Sequence, residues 1–149
     1  MIAFLIPTES SLLAGAVFPM PNLNLRVLVV DDEPSVSNTL ARILNLNGFE
    51  AIAVHSGEDA VALASTFRPD AAILDVFLDG GNDGIEIAHT ILRELPTCNI
   101  LLLSGQPETT ELLAKASALG ISFRVFAKPV RPELILDALA SPRIKRESP

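Results

Sequence analysis

The sequence predicts an α/β fold: five βα units, (βα)5, wound into one doubly wound, five-stranded parallel sheet. Three observations carry that reading. Short, nearly unbroken apolar runs recur five times, as strands covered on both faces require. Each is followed by a helix-length stretch whose apolar residues repeat at three- and four-residue spacing. Pro, Gly and short polar residues fall at the junctions, where helix starts and stops favour them.

The first 24 residues precede this pattern. Residues 1–6 and 12–17 are apolar, but no Lys or Arg comes before Arg26, and Pro7, Glu9 and Pro19 interrupt the run. It stays short of the roughly 18 residues of a membrane span and lacks the basic start of an export signal. A cytoplasmic protein without membrane contact is expected. Met20 stands five residues before the first strand-like run, so residues 1–19 read as a loosely ordered extension or as a consequence of start-site choice. Residues 1–24 as a whole are expected to be poorly ordered.

The first strand is read at 25–30. A helix opens at Pro34, turns Val36, Leu40, Ile43 and Leu44 inward, and stops at Gly48. The second strand, 51–54, leads to a helix capped by Ser56 with Asp59 three residues on, its inward face Ala60, Leu63, Ala64 and Phe67. The third strand, 71–74, precedes a helix capped by Asp83 with Glu86, its face Ile85, Ala88, Ile91, Leu92 and Leu95. After the fourth strand, 100–103, comes a helix that starts near Pro107, presents Leu112, Ala116 and Leu119, and ends at Gly120. The fifth strand, 123–127, is followed by a helix from Pro132 with Leu134, Ile135, Ala138 and Leu139 inward. Residues 25–140 thus form one domain, and 141–149, with Arg143, Lys145 and Arg146, a soluble tail.

Composition narrows the function. The chain has 149 residues, 49% of them hydrophobic, and 11 Lys and Arg against 18 Asp and Glu give a net charge of -7. That charge opposes binding to nucleic-acid phosphates and to acidic membranes. Trp and Tyr are absent, so no base-stacking platform is expected. The single cysteine, Cys98, supports neither an internal disulfide nor a zinc cluster and reads as a small buried hydrophobe.

Ligands of doubly wound sheets bind at the carboxyl ends of the strands. Those ends carry Asp31, Asp32 and Glu33, then His55, Asp75, Ser104 and finally Lys128. Asp31, Asp32 and Asp75 brought together repel by about 4 kcal/mol per close pair at 4 Å and an effective dielectric of 20. They need a cation, and Mg²⁺ suits one or two carboxylates plus a carbonyl while leaving positions for phosphate oxygens. With Mg²⁺ and Lys128 balancing the three carboxylates, Asp75 is able to attack phosphorus, and Lys128 and Ser104 receive the oxygens of the transferred group. Glu33 reads as a solvated acid at a helix start. His55 and His89 read as solvated or hydrogen-bonded helix-edge residues.

The segments VLVVDDEPS at 27–35, ILDVFLDGGNDGIEIA at 73–88, LLLSGQP at 101–107 and FAKP at 126–129 resemble the receiver domain of two-component response regulators, a family of flavodoxin-like architecture. The resemblance spans residues 25–140. It implies transfer of a phosphoryl group from a sensor histidine kinase, or a phosphotransfer protein, to an aspartate of the receiver with Mg²⁺, followed by a conformational change. Asp75 resembles the phosphoacceptor, Asp32 the direct metal ligand and Asp31 the neighbour acting through metal-bound water. The Phe77 backbone carbonyl resembles the remaining protein ligand, Ser104 the switch hydroxyl and Lys128 the active-site lysine, with a cis bond to Pro129. Such a protein phosphorylates itself and slowly loses the phosphate, and is not a multiple-turnover enzyme on an external substrate.

The chain departs from the family pattern in several places. Val125 stands where Tyr or Phe is common. Phe126 belongs to the opposite strand face, and Phe123 shares the face of Val125 but lies two residues further from the site. Asp79 replaces a common proline in a loop with Gly80, Gly81 and Gly84 that is one residue longer than usual, and the stretch from Gly120 to Lys128 is also a residue longer. Phe77 and Gln106 occupy positions that flank the path of hydrolytic water, and bulky Phe77 is expected to slow loss of phosphate. Without an output module the chain reads as a stand-alone receiver, a monomer or weak dimer. It is expected to signal to an unknown downstream protein through its fourth helix, fifth strand and fifth helix, with apolar residues such as Leu136 exposed on the last helix. A phosphate-independent interaction module of the same shape is the second reading. An aspartyl-nucleophile phosphohydrolase is the third, weakened by Phe77 where that chemistry wants a second aspartate.

Overall fold

The computed structural model describes residues 25–78, 83–105, 109–118, 120 and 123–140, the side chains at 109, 110, 112 and 115 excepted. The elements follow in strict alternation. They are β1 (Arg26–Val30), α1 (Pro34–Leu46), β2 (Glu50–Val54), α2 (Gly57–Phe67), β3 (Ala71–Asp75), α3 (Gly84–Glu94), β4 (Asn99–Ser104), α4 (Thr109–Ala118), β5 (Arg124–Ala127) and α5 (Pro132–Ala140). All strands are parallel in the order β2-β1-β3-β4-β5.

The two-residue period of the strands divides the core between the two faces of the sheet. Leu28, Val30, Ala72, Leu74, Ile100 and Leu102 point to one side, where α2, α3 and α4 bring Ala60, Ala64, Ile85, Ile91 and Ala116. Val27, Val29, Ile73, Leu101 and Leu103 point to the other, against Leu40, Ala41 and Leu44 of α1 and Ile135, Ala138 and Leu139 of α5. Two helices on one face and three on the other explain why the central strands carry no polar alternation: β3 is buried at every position.

Helix ends follow the local chemistry. The Ser56 hydroxyl accepts from the Asp59 backbone N–H at 3.1 Å, and the Asp83 carboxylate accepts from that of Glu86. Pro34 occupies the first turn of α1 and Pro132 begins α5. Gly48 and Gly120 take positive φ values of 92° and 77° beyond the ends of α1 and α4.

Several expectations need correction. Leu25 and Phe123 lie just outside their strands, β2 begins one residue earlier, at Glu50, and β4 begins at Asn99. Asp75 and Ser104 belong to β3 and β4, because backbone pairing (Asp75 beside Leu103, Ser104 beside Ala127) continues past the apolar run. On α1 the inward face is Ser37, Leu40, Ala41 and Leu44, and Val36 is 37% exposed. On α5 Leu134 is 49% exposed while Leu136 packs partly against the core. Gln106, Pro107, Leu119, the loop positions 79–82, residues 1–24 and residues 141–149 lie outside the described residues, as does the side chain of Leu112.

One contact fixes α3 against the sheet. The Gly84 backbone N–H donates to the Val76 carbonyl at 2.7 Å, and a Cβ added to Gly84 would overlap the Asp75 carbonyl oxygen. Only a residue without a Cβ permits this approach. Gly84→Ala is therefore expected to destabilise the fold by about 1–3 kcal/mol through overpacking against backbone, read as a lower urea midpoint. An unchanged midpoint would show that α3 can shift freely away from β3.

Candidate functional site

The sheet order reverses at β1, which pairs with β2 on one side and β3 on the other. The carboxyl ends of β1 and β3 flank this switch point. Register places Val30 beside Leu74, so the next residues, Asp31 and Asp75, end adjacent strands. Asp31 continues the pairing with β2 through its N–H to the Val54 carbonyl, 3.2 Å. Asp32 follows on the turn into α1. Carboxylate oxygens of Asp31, Asp32 and Asp75 all lie within 4.8 Å of one another.

Lys128 reaches this cluster from the end of β5, two strands beyond β3. Its Nζ donates to Asp31 Oδ2 at 2.9 Å and to Asp75 Oδ2 at 2.8 Å. The Lys128 N–H also donates to the Ser104 carbonyl at 2.9 Å, tying the ends of β4 and β5 together, and the Lys128–Pro129 peptide is cis. Ser104 is buried at the end of β4.

The second carboxylate oxygens are used as well. Asp31 Oδ1 accepts from the Glu33 N–H at 3.0 Å, and Asp75 Oδ1 from the Phe77 N–H at 3.2 Å. Both acids therefore close short turns that point them at the shared centre. Phe77 is half-buried, packs partly against the apolar cluster under α3 and pairs with Asp83 across the loop. Every predicted residue of the centre is thus at the carboxyl edge of the sheet. Glu33 stays exposed at the start of α1, and His89 lies away from the centre, on α3, in the groove between α2 and α3. Phe126 and Phe123 pack on opposite faces, and Val125 is 36% exposed.

Burial raises the Asp75 carboxyl above the usual aspartate range, against the lowering effect of the Lys128 ammonium. For Lys128, burial alone acts downward, but the hydrogen bonds to Asp75 and Asp31 outweigh it and raise the ammonium above its ordinary value. Three carboxylates and one ammonium leave two negative charges in a half-closed space. A divalent cation of oxygen preference fits that donor set.

Sequence reasoning passed over Ser37. It is fully buried, and its hydroxyl lies 2.9 Å from Nδ1 of His55 at the end of β2. The signal was present: Ser37, Leu40, Ala41 and Leu44 are spaced for one helical face, but the apolar Val36 next to Ser37 drew the assignment one residue off.

A family model described as the response regulator receiver domain matches residues 27–140. The nitrogen assimilation regulatory protein NtrX of Azorhizobium caulinodans is 32% identical over 124 residues, covering 81% of this chain and 27% of that protein. The chain therefore spans about a quarter of the length of that relative. The chemotaxis protein CheY4 of Vibrio cholerae superposes with a TM-score of 0.68 at 28% identity, covering 78% of this chain and 96% of that one. A response regulator of Burkholderia pseudomallei, solved with a phosphorylated aspartic acid, a calcium ion and citrate, also gives 0.68 at 28% identity, covering 78% and 66%. Among the described residues no helix is long and apolar enough to cross a membrane.

The raised carboxyl of Asp75 has a measurable consequence. Folded, metal-free protein keeps this proton to higher pH than the unfolded chain, so stability falls as pH rises from the ordinary aspartate value through the raised one. Asp75→Asn is expected to be more stable than the wild type near neutral pH without metal and to converge with it in acid, by urea unfolding. Lys128 works in the opposite sense: its pairing stabilises below the ordinary lysine value and is lost as pH rises through the raised one. Lys128→Met should abolish that alkaline loss.

Proposed function

The chain belongs to the response regulator receiver domain family, and from that premise we propose that it is a phosphorylation-activated receiver with Asp75 as phosphoacceptor. The donor is a sensor histidine kinase or a phosphotransfer protein. The observation that carries this reading is the cluster of Asp31, Asp32 and Asp75 with Lys128 Nζ bridging two of its members.

Asp31, Asp32 and Asp75, with the Phe77 backbone carbonyl, would hold Mg²⁺. When bound, the ion neutralises the acidic cluster and attracts the oxygens of an incoming phosphoryl group. An Asp75 carboxylate oxygen attacks phosphorus. The P–N bond of the donor phosphohistidine breaks with its electron pair remaining on the imidazole, and a P–O bond to Asp75 forms. The Lys128 ammonium, already 2.8 Å from an Asp75 oxygen, is placed to pair with the transferred group, and the Ser104 hydroxyl is the switch group that approaches it. Half-buried Phe77 borders the same carboxylate and slows the access of hydrolytic water. The phosphorylated aspartate and calcium ion of the Burkholderia relative support the reading by likeness.

Residues 25–140 are the receiver unit, with 1–24 and 141–149 as its flanks, in a cytoplasmic monomer or weak dimer. The output surface is formed by α4, β5 and α5 and addresses a downstream protein. Val125, 36% exposed on β5, favours a second reading in which the same surface binds its partner without phosphate.

Incubation with acetyl phosphate and Mg²⁺ followed by intact mass is expected to give one phosphoryl adduct in the wild type and none in Asp75→Ala. No adduct in a wild type shown to bind Mg²⁺ would move the assignment to the phosphate-independent module. Phe77→Asn is expected to lose its phosphate several-fold faster than the wild type, followed by the same mass measurement over time. Equal rates would remove Phe77 from control of phosphate lifetime.

A further inference from the structure

We propose that the Ser37–His55 hydrogen bond is a positioning device for the metal-binding turn, pinning the first turn of α1 to the end of β2 so that Asp31 and Asp32 are held ready for a divalent cation. The inference rests on the receiver reading above and names residues of this chain that set its metal affinity.

The turn that carries the acid pair has an unusual start. α2 and α3 begin with side-chain caps, Ser56 and Asp83, whereas Glu33, at the cap position of α1, makes no side-chain cap bond, and the first turn of α1 holds no acid. The polar side-chain tie of α1 comes instead from Ser37, one turn inside the helix. Its hydroxyl lies 3.4 Å from the Glu33 carbonyl and 2.9 Å from His55 Nδ1. It is 0% exposed on a face otherwise made of Leu40, Ala41 and Leu44, and a buried hydroxyl is strongly penalised without a partner.

Consecutive residues of β2 and the turn after it then hold both ends of the acidic turn. The Val54 carbonyl receives the Asp31 N–H at 3.2 Å, and His55 pairs with Ser37. Residues 32–36, which include Asp32, are closed between these two ties. A turn fixed before the ion arrives pays no ordering entropy on binding, and groups behind the ligands commonly set affinity in this way. Ser37 and His55 are thus positioning residues and touch no reacting atom.

The test is Mg²⁺ affinity by calorimetry together with amide hydrogen exchange of the metal-free protein. Ser37→Ala and His55→Ala are each expected to weaken Mg²⁺ binding about tenfold, or 1.4 kcal/mol. The double variant should be no weaker than either single one, because both remove the same bond. His55→Asn, whose amide reaches the position of Nδ1, should recover most of the affinity. In the alanine variants the amides of Asp32 and Glu33 should exchange faster, with those of Ile73 and Leu74 in the central strand unchanged. Wild-type Mg²⁺ affinity in both alanine variants, losses that add in the double variant, or faster exchange throughout the core would each overturn the inference while leaving the receiver reading intact. A wild type that binds no Mg²⁺ would overturn the metal reading and this inference together.

Discussion

Mutual repulsion among three carboxylates within 4.8 Å at the edge of a covered sheet is the constraint around which the molecule is organised. Asp31 and Asp75 are buried, and Asp75 is held above its usual titration range by that burial. Lys128 relieves part of the strain by bonding both at once, at 2.9 and 2.8 Å. A buried charge pair is poor evidence for stability, since desolvation offsets much of the attraction. The cluster stays short of positive charge, which is consistent with the divalent ion and phosphoryl group proposed for it.

The fold supplies that site by geometry that no single element contains. Parallel strands covered on both faces place their carboxyl ends in one row, and the reversal of strand order at β1 opens a crevice between β1 and β3. Lys128 comes from β5, at the edge of the sheet, and is carried back to the centre by its backbone bond to the Ser104 carbonyl and by its long side chain. Gly84 lets α3 sit directly on the backbone of Asp75 and Val76. β3 and the helix after it are thereby coupled, which is what the proposed transmission of a local chemical change requires.

Two partly buried polar groupings near the site show how the same physics is applied at different strengths. Lys128 with its carboxylates is a charged cluster whose balance depends on what else binds. Ser37 with His55 is a small hydrogen-bonded pair that ties the first turn of α1 to the residue after β2. Both join segments distant in sequence, 97 residues apart for Lys128 and Asp31 and 18 for Ser37 and His55. Each therefore exists only once the sheet has formed.

The sequence by itself determined the alternation of elements, the two-sided burial of the strands and the identity of the acids, because these follow from local period and from residue types at strand ends. Helix caps at Ser56 and Asp83 were legible for the same reason: the bond spans three residues. Strand ends at Asp75 and Ser104 were not, since pairing depends on neighbouring strands rather than on side-chain polarity. The inward place of Ser37 and the exposure of Val36 and Leu134 were likewise decided in three dimensions, by how each helix rolls on the sheet and which partner waits there. Only the tertiary structure could bring Lys128 onto two carboxylates and His55 onto Ser37, because a hydrogen bond across the fold is a property of assembled strands and not of any segment alone.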